Sequence, residues 1–317
     1  MILTEASRTI GQGHLSRCLA LKQALLELGV FSKLFVRGDN TVKAFAKGAA
    51  ISEWLWWDKA YLKALSRRYS GIVIDSYHAP ERFYWTCAEF FKPVVAIDDY
   101  KRLSGDGVWI LNPGPYAFDM GYLGKGHMLG PSFALLRKPF WGGFLKKIRA
   151  RSARFLITFG GEDIRGLTPR FVRALREAFD LELYVVLGHA SRAQVPESES
   201  VKVYRAVNAR TMRRLMEASD IAISAGGQTT FELARVGLAA VLISVADNQL
   251  LNCKSWHELG VFHWAGNWDQ SDIEERVIGA VLELFAYEKR LRAYESGTKY
   301  VDGLGAMRVA RKIIQIS

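Results

Sequence analysis

Apolar and polar positions along this chain follow two alternating patterns. Short, nearly continuous apolar runs rich in Val, Ile and Leu predict buried β-strands, and stretches with apolar residues three or four positions apart predict amphipathic helices. The predicted strands are 31–36, 72–74, 94–97, 108–111, 155–159, 181–187, 201–204, 221–224 and 240–245. The predicted helices are 14–28, 41–48, 59–68, 81–91, 168–178, 209–217, 228–236, 249–258, 271–288 and 307–316.

This alternation of strands and helices predicts an α/β protein with parallel sheets covered on both faces. The length of 317 residues indicates two domains. A stretch rich in Gly and basic residues at 138–154 is the best boundary. We therefore expect two Rossmann-like αβα domains that face each other across a cleft. The expected ranges are 1–145 and 152–317, with the C-terminal helix returning to the first domain.

The first candidate for chemistry is a glycine turn at the start of the helix 14–28. Gly11 and Gly13 bracket one residue, and His14 follows directly. Glycines let the backbone turn sharply and approach a ligand, and the unpaired N–H groups of a helix start favour an anion. Histidine is the side chain that exchanges protons most readily near neutral pH. The pattern indicates a ligand-binding turn, and the alternative is an ordinary strand-to-helix turn with a partly exposed histidine.

A second glycine turn, Gly226 and Gly227, follows the predicted strand 221–224. Thr229 and Thr230 come next, and their hydroxyls can cap the helix or bind a phosphate oxygen. Glu232 lies one helical turn further, where its carboxylate can bind the two hydroxyls of a ribose. Its alternative role is to complement the positive end of the helix dipole.

A third turn, Gly160 and Gly161 followed by Asp163, closes the predicted strand 155–159. Each turn alone is weak evidence. Because ligands of parallel α/β sheets bind beyond the carboxyl ends of the strands, the three turns together predict a phosphate-bearing ligand.

Two acidic strand ends add chemistry to the first half. Asp75 follows the strand 72–74 and precedes Tyr77, and Asp98 and Asp99 follow the strand 94–97. A carboxylate at such a position can bind sugar hydroxyls or orient a histidine. The alternative is that it caps the next helix or turn.

The net charge of +11 is spread along the chain without a recognisable nucleic-acid motif, so we expect no nucleic-acid partner. Such a field would attract an anionic nucleotide-sugar. The segment 140–147 mixes aromatic residues with lysines. This mixture is typical of a weak contact with an acidic membrane surface, or of aromatic packing at a connection between domains.

The remaining composition points to a cytoplasmic protein. Three separated cysteines fit reduced thiols, and the ends of the chain and its apolar runs suggest neither a signal peptide nor a membrane span. The spacing of Cys, His and acidic residues indicates no metal site, and we expect no cofactor. The oligomeric state stays open.

Taken in order, these motifs resemble the UDP-sugar hydrolases of nonulosonic (pseudaminic) acid biosynthesis, which are relatives of the MurG-type glycosyltransferases with the GT-B fold. The matching pieces are Gly11-x-Gly13-His14-x-x-Arg17-Cys18, Asp75-x-Tyr77, 97–99, 111–112, 130–137, Gly160-Gly161-x-Asp163, 224–232 and Asn248-Gln249. The stretch 130–137 and the turn at 160–163 are the most specific. One departure is at residues 3–5, which are Leu-Thr-Glu where the family often has Arg-x-Asp, so the sugar stays open.

The resemblance implies a GT-B fold and the hydrolysis of UDP-2,4-diacetamido-2,4,6-trideoxy-β-L-altropyranose, or a close relative, to UDP and free sugar. His14 would be the general base for water attack at the anomeric carbon. The diphosphate would lie on the helix start at 226–230 and the ribose on Glu232. The candidate catalytic residues are His14, Asp75, Asp99 and Asn248. The candidate substrate-binding residues are Gly11, Gly13, Arg17, Tyr77, Gly160, Gly161, Asp163, Gly226, Gly227, Thr229, Thr230, Glu232 and Gln249.

Two other functions fit the same residues. A MurG-like GT-B glycosyltransferase would use His14 to deprotonate a sugar or lipid hydroxyl instead of water. A non-catalytic protein could use the positive charge to bind a nucleotide-sugar or a membrane surface.

Overall fold

A computed structural model describes residues 1–7, 11–38, 50–51, 58–143, 146–161, 163, 165–189 and 191–317. The predicted helix 41–48 and residues 144–145 of the aromatic and basic segment lie outside the described residues. In the described part of the chain, no helix is both long and apolar enough to cross a bilayer.

The described residues form strands and helices in close alternation. The strands are β1 (Ile2–Ala6), β2 (Leu34–Gly38), β3 (Ala50–Ile51), β4 (Ile72–Asp75), β5 (Val94–Ile97), β6 (Trp109–Asn112), β7 (Met128–Leu129), β8 (Arg154–Thr158), β9 (Glu182–Leu187), β10 (Val201–Arg205), β11 (Ile221–Ala225), β12 (Ala239–Ser244) and β13 (His263–Asn267). The helices are α1 (Gly13–Glu27), α2 (Lys59–Ser66), α3 (Glu81–Ala88), α4 (Leu167–Ala178), α5 (Ala209–Ala218), α6 (Thr229–Val236), α7 (Leu250–Glu258), α8 (Ile273–Leu284), α9 (Tyr287–Tyr300) and α10 (Gly305–Gln315).

The chain divides into two compact units. The first combines Met1–Lys138 with Leu304–Ser317, and the second is Pro139–Gly303. The helix α10 packs on α1, and a Cβ on its first residue, Gly305, would lie only 2.3 Å from the Ala134 carbonyl oxygen. Residues 139–145, which the predicted ranges gave to the first domain, belong to the second unit, and residues 304–317, which contain the C-terminal helix, belong to the first.

The first unit is built on a parallel sheet with the strand order β3-β2-β1-β4-β5-β6-β7. Every residue of β1, β4 and β5 is buried. Val, Ile and Leu predominate in these strands because a parallel sheet covered on both faces has no solvated side.

The second unit repeats the arrangement with the order β10-β9-β8-β11-β12-β13, again parallel. Its central strands β11 and β12 are buried at every position. In both sheets the order reverses between two central strands, β1 and β4 in the first and β8 and β11 in the second. This reversal is where ligands of open parallel sheets bind. The predicted two-domain α/β fold is confirmed.

The strands β1, β3, β7 and β13 were not predicted, and the helix 271–288 was predicted wrongly. The strand β1 was missed because Thr4 and Glu5 interrupt its apolar run, although both side chains are buried. The predicted helix 271–288 ends earlier, since α8 stops at Leu284, and α9, which begins at Tyr287, was not predicted beyond residue 288. The buried side chain of Arg290 donates hydrogen bonds to the carbonyl oxygens of Leu284 and Phe285, at 2.8 and 2.7 Å. These bonds satisfy carbonyls at the end of α8 that would otherwise need another turn of helix.

Candidate active site

Two glycines, Gly11 and Gly13, lie in the described residues that lead into α1. Gly11 has φ of 80°, which favours glycine, and Gly13 is the first residue of α1. A Cβ built on either residue meets no heavy atom of the described part of the chain within 4 Å. The residue before the helix, Gln12, makes no side-chain capping bond. Packing against the described residues therefore does not explain either glycine.

His14 points its Nδ1 atom at Asp75, the last residue of β4. The distance from Nδ1 to Asp75 Oδ1 is 2.6 Å, and the two side chains are 5% and 0% exposed. The contact follows from the register of the sheet, which pairs Thr4 of β1 with Asp75. Arg17 Nη2 also lies 3.3 Å from this Nδ1 atom, but the shorter contact is with a carboxylate, which can only accept hydrogen bonds. We therefore assign the proton of the neutral imidazole to Nδ1 and its lone pair to Nε2. No described residue forms a hydrogen bond with Nε2, so this atom can take a proton.

Arg17 lies one helical turn after His14, on the same face of α1. Its Nε and Nη2 atoms donate to the two oxygens of Asp75 at 2.7 and 2.6 Å. Burial alone would raise the pKa of Asp75, but the charges and hydrogen bonds of Arg17 and His14 hold that pKa well below its usual range. Asp75 is therefore a permanent anion beneath the imidazole.

The same guanidinium reaches a second carboxylate, that of Asp99. Arg17 Nη1 donates to Asp99 Oδ1 at 3.0 Å, and Arg17 Nη2 lies 2.8 Å from Asp99 Oδ2. The Tyr77 hydroxyl donates to Asp99 Oδ2 at 2.9 Å, and the Tyr77 ring packs edge-on against the His14 ring at 4.2 Å. Burial and the Asp99 carboxylate raise the pKa of Tyr77 far above its usual value, so it stays a neutral donor.

The two neighbouring aspartates after β5 therefore have different roles. The Asp98 carboxylate accepts hydrogen bonds from the backbone N–H groups of Tyr100, Arg102 and Leu103 at 3.1–3.2 Å, so it holds the turn. Asp99 faces the histidine cluster instead. Of these two aspartates, only Asp98 stabilises the turn, which is the alternative role that the sequence analysis gave for such a carboxylate.

A second histidine–carboxylate pair lies at the same sheet edge, and the sequence analysis missed it. His78 Nδ1 is 3.0 Å from Glu5 Oε2, and the Glu5 side chain is fully buried at the end of β1. Glu5 Oε1 forms no hydrogen bond with a described residue and lies 3.7 Å from Arg37 Nη1. The strand ends could have indicated this pair. Glu5 is one residue beyond the Thr4–Asp75 pair, so β1 and β4 bring the side chains of Glu5 and His78 to the same edge of the sheet.

The turn after β11 is packed more tightly. The Gly226 N–H donates to Gln249 Oε1 at 3.1 Å, and the same oxygen accepts the Val245 N–H at 3.2 Å. A Cβ on Gly226 would lie 2.1 Å from Cys253 Sγ. Gly226 is therefore required by its contact with α7, and the amide of Gln249 ties the ends of β11 and β12 together.

The first turn of α6 carries the remaining candidates of this segment. The Thr230 hydroxyl donates to the Gly227 carbonyl at 2.8 Å and accepts from Asn252 Nδ2 at 3.0 Å. Thr229 begins the helix, and Gln228 before it makes no side-chain capping bond. Glu232 is buried in this first turn. Binding of a diphosphate and a ribose here stays a prediction.

The third turn follows β8. Gly160 has φ of 83° and is exposed, and Gly161 packs against Gly188 so closely that a Cβ on Gly188 would lie 2.1 Å from the Gly161 carbonyl oxygen. Asp163 accepts the N–H groups of Leu167 and Thr168, each at 2.8 Å, and so caps α4. Both of its oxygens have protein partners, although the sequence analysis placed it among the substrate-binding residues.

The structure thus brings five of the candidates together in the first unit: His14, Arg17, Asp75, Tyr77 and Asp99. Those of the second unit lie at the carboxyl ends of its strands. Asn248 is exposed there, in the short turn Asp247–Gln249. Among the described residues, no group of three His, Cys, Asp or Glu side chains is placed to hold a metal ion.

The strand orders and the clusters at the strand ends define a two-unit α/β protein of the GT-B type. Residues 160–304 match the model of the Glycosyltransferase family 28 C-terminal domain. The structure superposes on MurG of Acinetobacter baumannii with a TM-score of 0.70 and 13% sequence identity, over 99% of this chain and 99% of that one. This likeness shows the fold.

Two curated proteins are related in sequence. The chain is 24% identical over 268 residues to the pseudaminic acid cytidylyltransferase and UDP-2,4-diacetamido-2,4,6-trideoxy-beta-L-altropyranose hydrolase of Helicobacter pylori, covering 82% of this chain and 47% of that protein. It is 24% identical over 190 residues to the spore coat polysaccharide biosynthesis protein SpsG of Bacillus subtilis, covering 57% and 56%. The resemblance inferred from the sequence is confirmed. The chain spans about half the length of the curated relatives it matches.

Proposed function

We propose that this chain hydrolyses a UDP-sugar to UDP and free sugar in pseudaminic acid biosynthesis, with UDP-2,4-diacetamido-2,4,6-trideoxy-β-L-altropyranose or a close relative as substrate. The observation that carries the proposal is the His14–Asp75 pair next to Gly11 and Gly13, neither of which is explained by packing against the described residues. The activity named for the Helicobacter pylori relative supports the choice of substrate.

The reaction assigned to His14 is general-base catalysis. Its Nε2 lone pair takes a proton from water, and the water oxygen forms a bond to the anomeric carbon. The bond from that carbon to the diphosphate oxygen breaks, and its electron pair leaves with UDP. A well-placed base of this kind contributes about 10²–10⁴-fold to the rate.

Asp75 supports this step in two ways. It fixes the tautomer of His14 by accepting the Nδ1 proton, and its negative charge stabilises the imidazolium that forms as the proton arrives. Because Arg17 keeps Asp75 ionised, this support persists over the whole pH range in which the enzyme would work.

The second unit is assigned to the nucleotide. The start of α6 supplies backbone N–H groups and the positive end of a helix dipole, which favour a diphosphate. Glu232 in the first turn is assigned to the ribose hydroxyls, and Asn248 to the phosphates or the reacting sugar. The amide of Gly226 is excluded from the diphosphate donors as long as Gln249 holds it. With helix N–H groups at the diphosphate, the proposal needs no metal ion.

A glycosyltransferase is the second candidate, because the fold is that of MurG and the second unit matches a glycosyltransferase domain. The same histidine would then deprotonate an acceptor hydroxyl. The two functions differ in one requirement, since a hydrolase releases UDP in water alone and a transferase needs the acceptor.

The experiment is a panel of UDP-, GDP- and CMP-sugars incubated with the purified chain, without acceptor and with EDTA. We expect UDP release from the diacetamido-trideoxy sugar, and its loss in His14→Gln. The matched control is Lys59→Met, which removes an exposed ion pair with Glu89 in the same unit. Release only after an acceptor is added would favour the glycosyltransferase. No turnover and simple binding would favour a binding protein.

A further inference from the structure

We propose that Arg17 and Asp99 are positioning residues of the hydrolytic step, which act through His14 and make no contact with the substrate. This inference rests on the function proposed above. The sequence analysis placed Arg17, a residue of the matched motif at 11–18, among the candidate substrate-binding residues. The structure instead gives its guanidinium two carboxylate partners and leaves its side chain only 7% exposed.

The contacts form a closed circuit. His14 donates to Asp75, Asp75 accepts from Arg17, and Arg17 donates to Asp99. Asp99 accepts from the Tyr77 hydroxyl, and the Tyr77 ring returns to the His14 ring at 4.2 Å. The imidazole is therefore held at Nδ1 by the Asp75 carboxylate and across its ring by the Tyr77 side chain. Arg17 connects these two contacts, because it donates hydrogen bonds to both Asp75 and Asp99.

The planar fork of Arg17 is needed for this geometry. Three of its nitrogens make contacts shorter than 3.1 Å to four carboxylate oxygens. A lysine ammonium carries the same charge at a single point and cannot bridge both carboxylates in this way. The circuit therefore depends on the shape of the guanidinium as well as on its charge.

The net charge of this cluster also favours the uptake of a proton by His14. With His14 neutral, one cation faces the two anions Asp75 and Asp99, so the cluster carries one net negative charge. Uptake of one proton by His14 makes the cluster neutral. Three described ionisable groups beside it stay uncharged: Tyr77 and Tyr116 have raised pKa values, as has the Cys18 thiol, each chiefly through burial and then through a neighbouring aspartate.

Asp99 supplies this charge balance without touching the imidazole. Its side chain is 15% exposed, whereas Asp75 is fully buried. Replacing Asp99 by asparagine keeps its shape and a hydrogen-bond acceptor for Tyr77, and removes one negative charge. Two variants therefore separate geometry from charge: Arg17→Lys keeps the charge and loses the fork, and Asp99→Asn keeps the shape and loses the charge.

The test measures kcat, KM and the pH profile of UDP release for both variants. For Arg17→Lys we expect kcat to fall by about 10–100-fold, with KM and the acid limb of the profile unchanged. For Asp99→Asn we expect a smaller fall in kcat and an acid limb at lower pH, because loss of a nearby anion disfavours the imidazolium. Tyr77→Phe removes only the hydroxyl and should lower kcat less than Arg17→Lys.

Three results would overturn the inference. A raised KM with unchanged kcat in Arg17→Lys would make Arg17 a substrate-binding residue. A lowered melting temperature with kcat unchanged in both variants would make the circuit structural only. If the acid limb of the pH profile lies at the same pH in Asp99→Asn as in the unmodified chain, Asp99 has no electrostatic role.

A readout without substrate keeps this test separate from the proposed function. ¹⁵N NMR of the His14 imidazole should report a proton on Nδ1 in the unmodified chain and in Asp99→Asn, and a mixture of tautomers in Arg17→Lys. A single tautomer in all three proteins contradicts the positioning role. If the unmodified chain releases no UDP while the tautomer shifts as expected, the proposed function fails and the positioning of His14 stands.

Discussion

Two glycine turns of the same sequence type, 11–13 and 226–227, differ in the physical reason for their glycines. No described atom lies within 4 Å of a Cβ built on Gly11 or Gly13, and the residues that follow are a buried set of charges. Around Gly226 the space is filled by the thiol of Cys253, and the backbone amide is occupied by Gln249. Packing against described residues explains the glycine of the second turn, which closes a helix onto a sheet, and neither glycine of the first.

Paired glycines before a helix therefore do not identify a ligand site by themselves. A glycine is selected where a ligand approaches the backbone, and equally where another helix does. The distinguishing observation is what surrounds the missing side chain. We therefore assign the chemical step to the first unit, and for the second we assign the nucleotide to the helix start after Gly227 and not to Gly226 itself.

The largest effect should come from His14. The variant His14→Ala should lower kcat by about 10²-fold or more while UDP still binds, because the base is lost and the nucleotide site is untouched. Steady-state kinetics and UDP calorimetry measure the two parts. Near-full turnover in this variant would show that the first glycine turn carries no base.

Glu232→Ala should have the next largest effect, on binding alone. We expect UDP affinity to weaken by about 1.5–3 kcal/mol, as is usual when charge-assisted hydrogen bonds to hydroxyls are lost. Calorimetry with UDP measures it, with the exposed Glu177→Ala on α4 as the matched control. Equal UDP affinities in the two variants would contradict the assignment of the ribose to the start of α6.

Gly226→Ala tests the packing explanation directly. Its methyl group would collide with Cys253 Sγ, so we expect a loss of about 1–3 kcal/mol in the free energy of unfolding, as for other overpacked sites. Gly227→Ala is the control, because its Cβ would lie 3.7 Å from the nearest atom, Gln249 Nε2, in ordinary contact. Denaturant unfolding compares them, and equal stabilities would contradict the difference between the two turns.

The smallest effect should be that of Gly13→Ala on stability. It lies at the first position of α1 with no described atom within 4 Å of its Cβ, so the free energy of unfolding should change by less than about 0.5 kcal/mol. Gly11→Ala should cost about 1–2 kcal/mol, because φ of 80° strains any residue with a Cβ. A large loss in Gly13→Ala would mean that this turn is also closed by packing.

The sequence predicted the alternating strands and helices well, because continuous Val, Ile and Leu runs occur where a parallel sheet is covered on both faces. It missed β1 because Thr4 and Glu5 are polar, and their burial depends on neighbouring strands distant in the sequence. It also could not predict the break between α8 and α9, where a long-range side chain, Arg290, satisfies helix-end carbonyls that local sequence leaves free.

The candidate site shows the same limit. The spacing of the motifs identified His14, Asp75 and Asp99 as candidate site residues, but it could not show which hydrogen-bond partner each side chain has. Asp75 and Asp98 both follow strands in similar sequence, yet one accepts from a histidine and the other from backbone N–H groups. Arg17 and Asp163 were interpreted as ligand contacts, and the structure gives both protein partners. Partner choice depends on strand order and register, which single-sequence patterns do not contain.

The most direct test of the central claim is hydrolysis of the UDP-sugar in ¹⁸O-labelled water, with prompt mass analysis of both products. If water activated by His14 attacks the anomeric carbon, the released sugar carries one ¹⁸O atom and UDP carries none. Attack at phosphorus would place the label on the phosphate instead. Label in a phosphate-bearing product, or no release of UDP until an acceptor is added, would contradict the account.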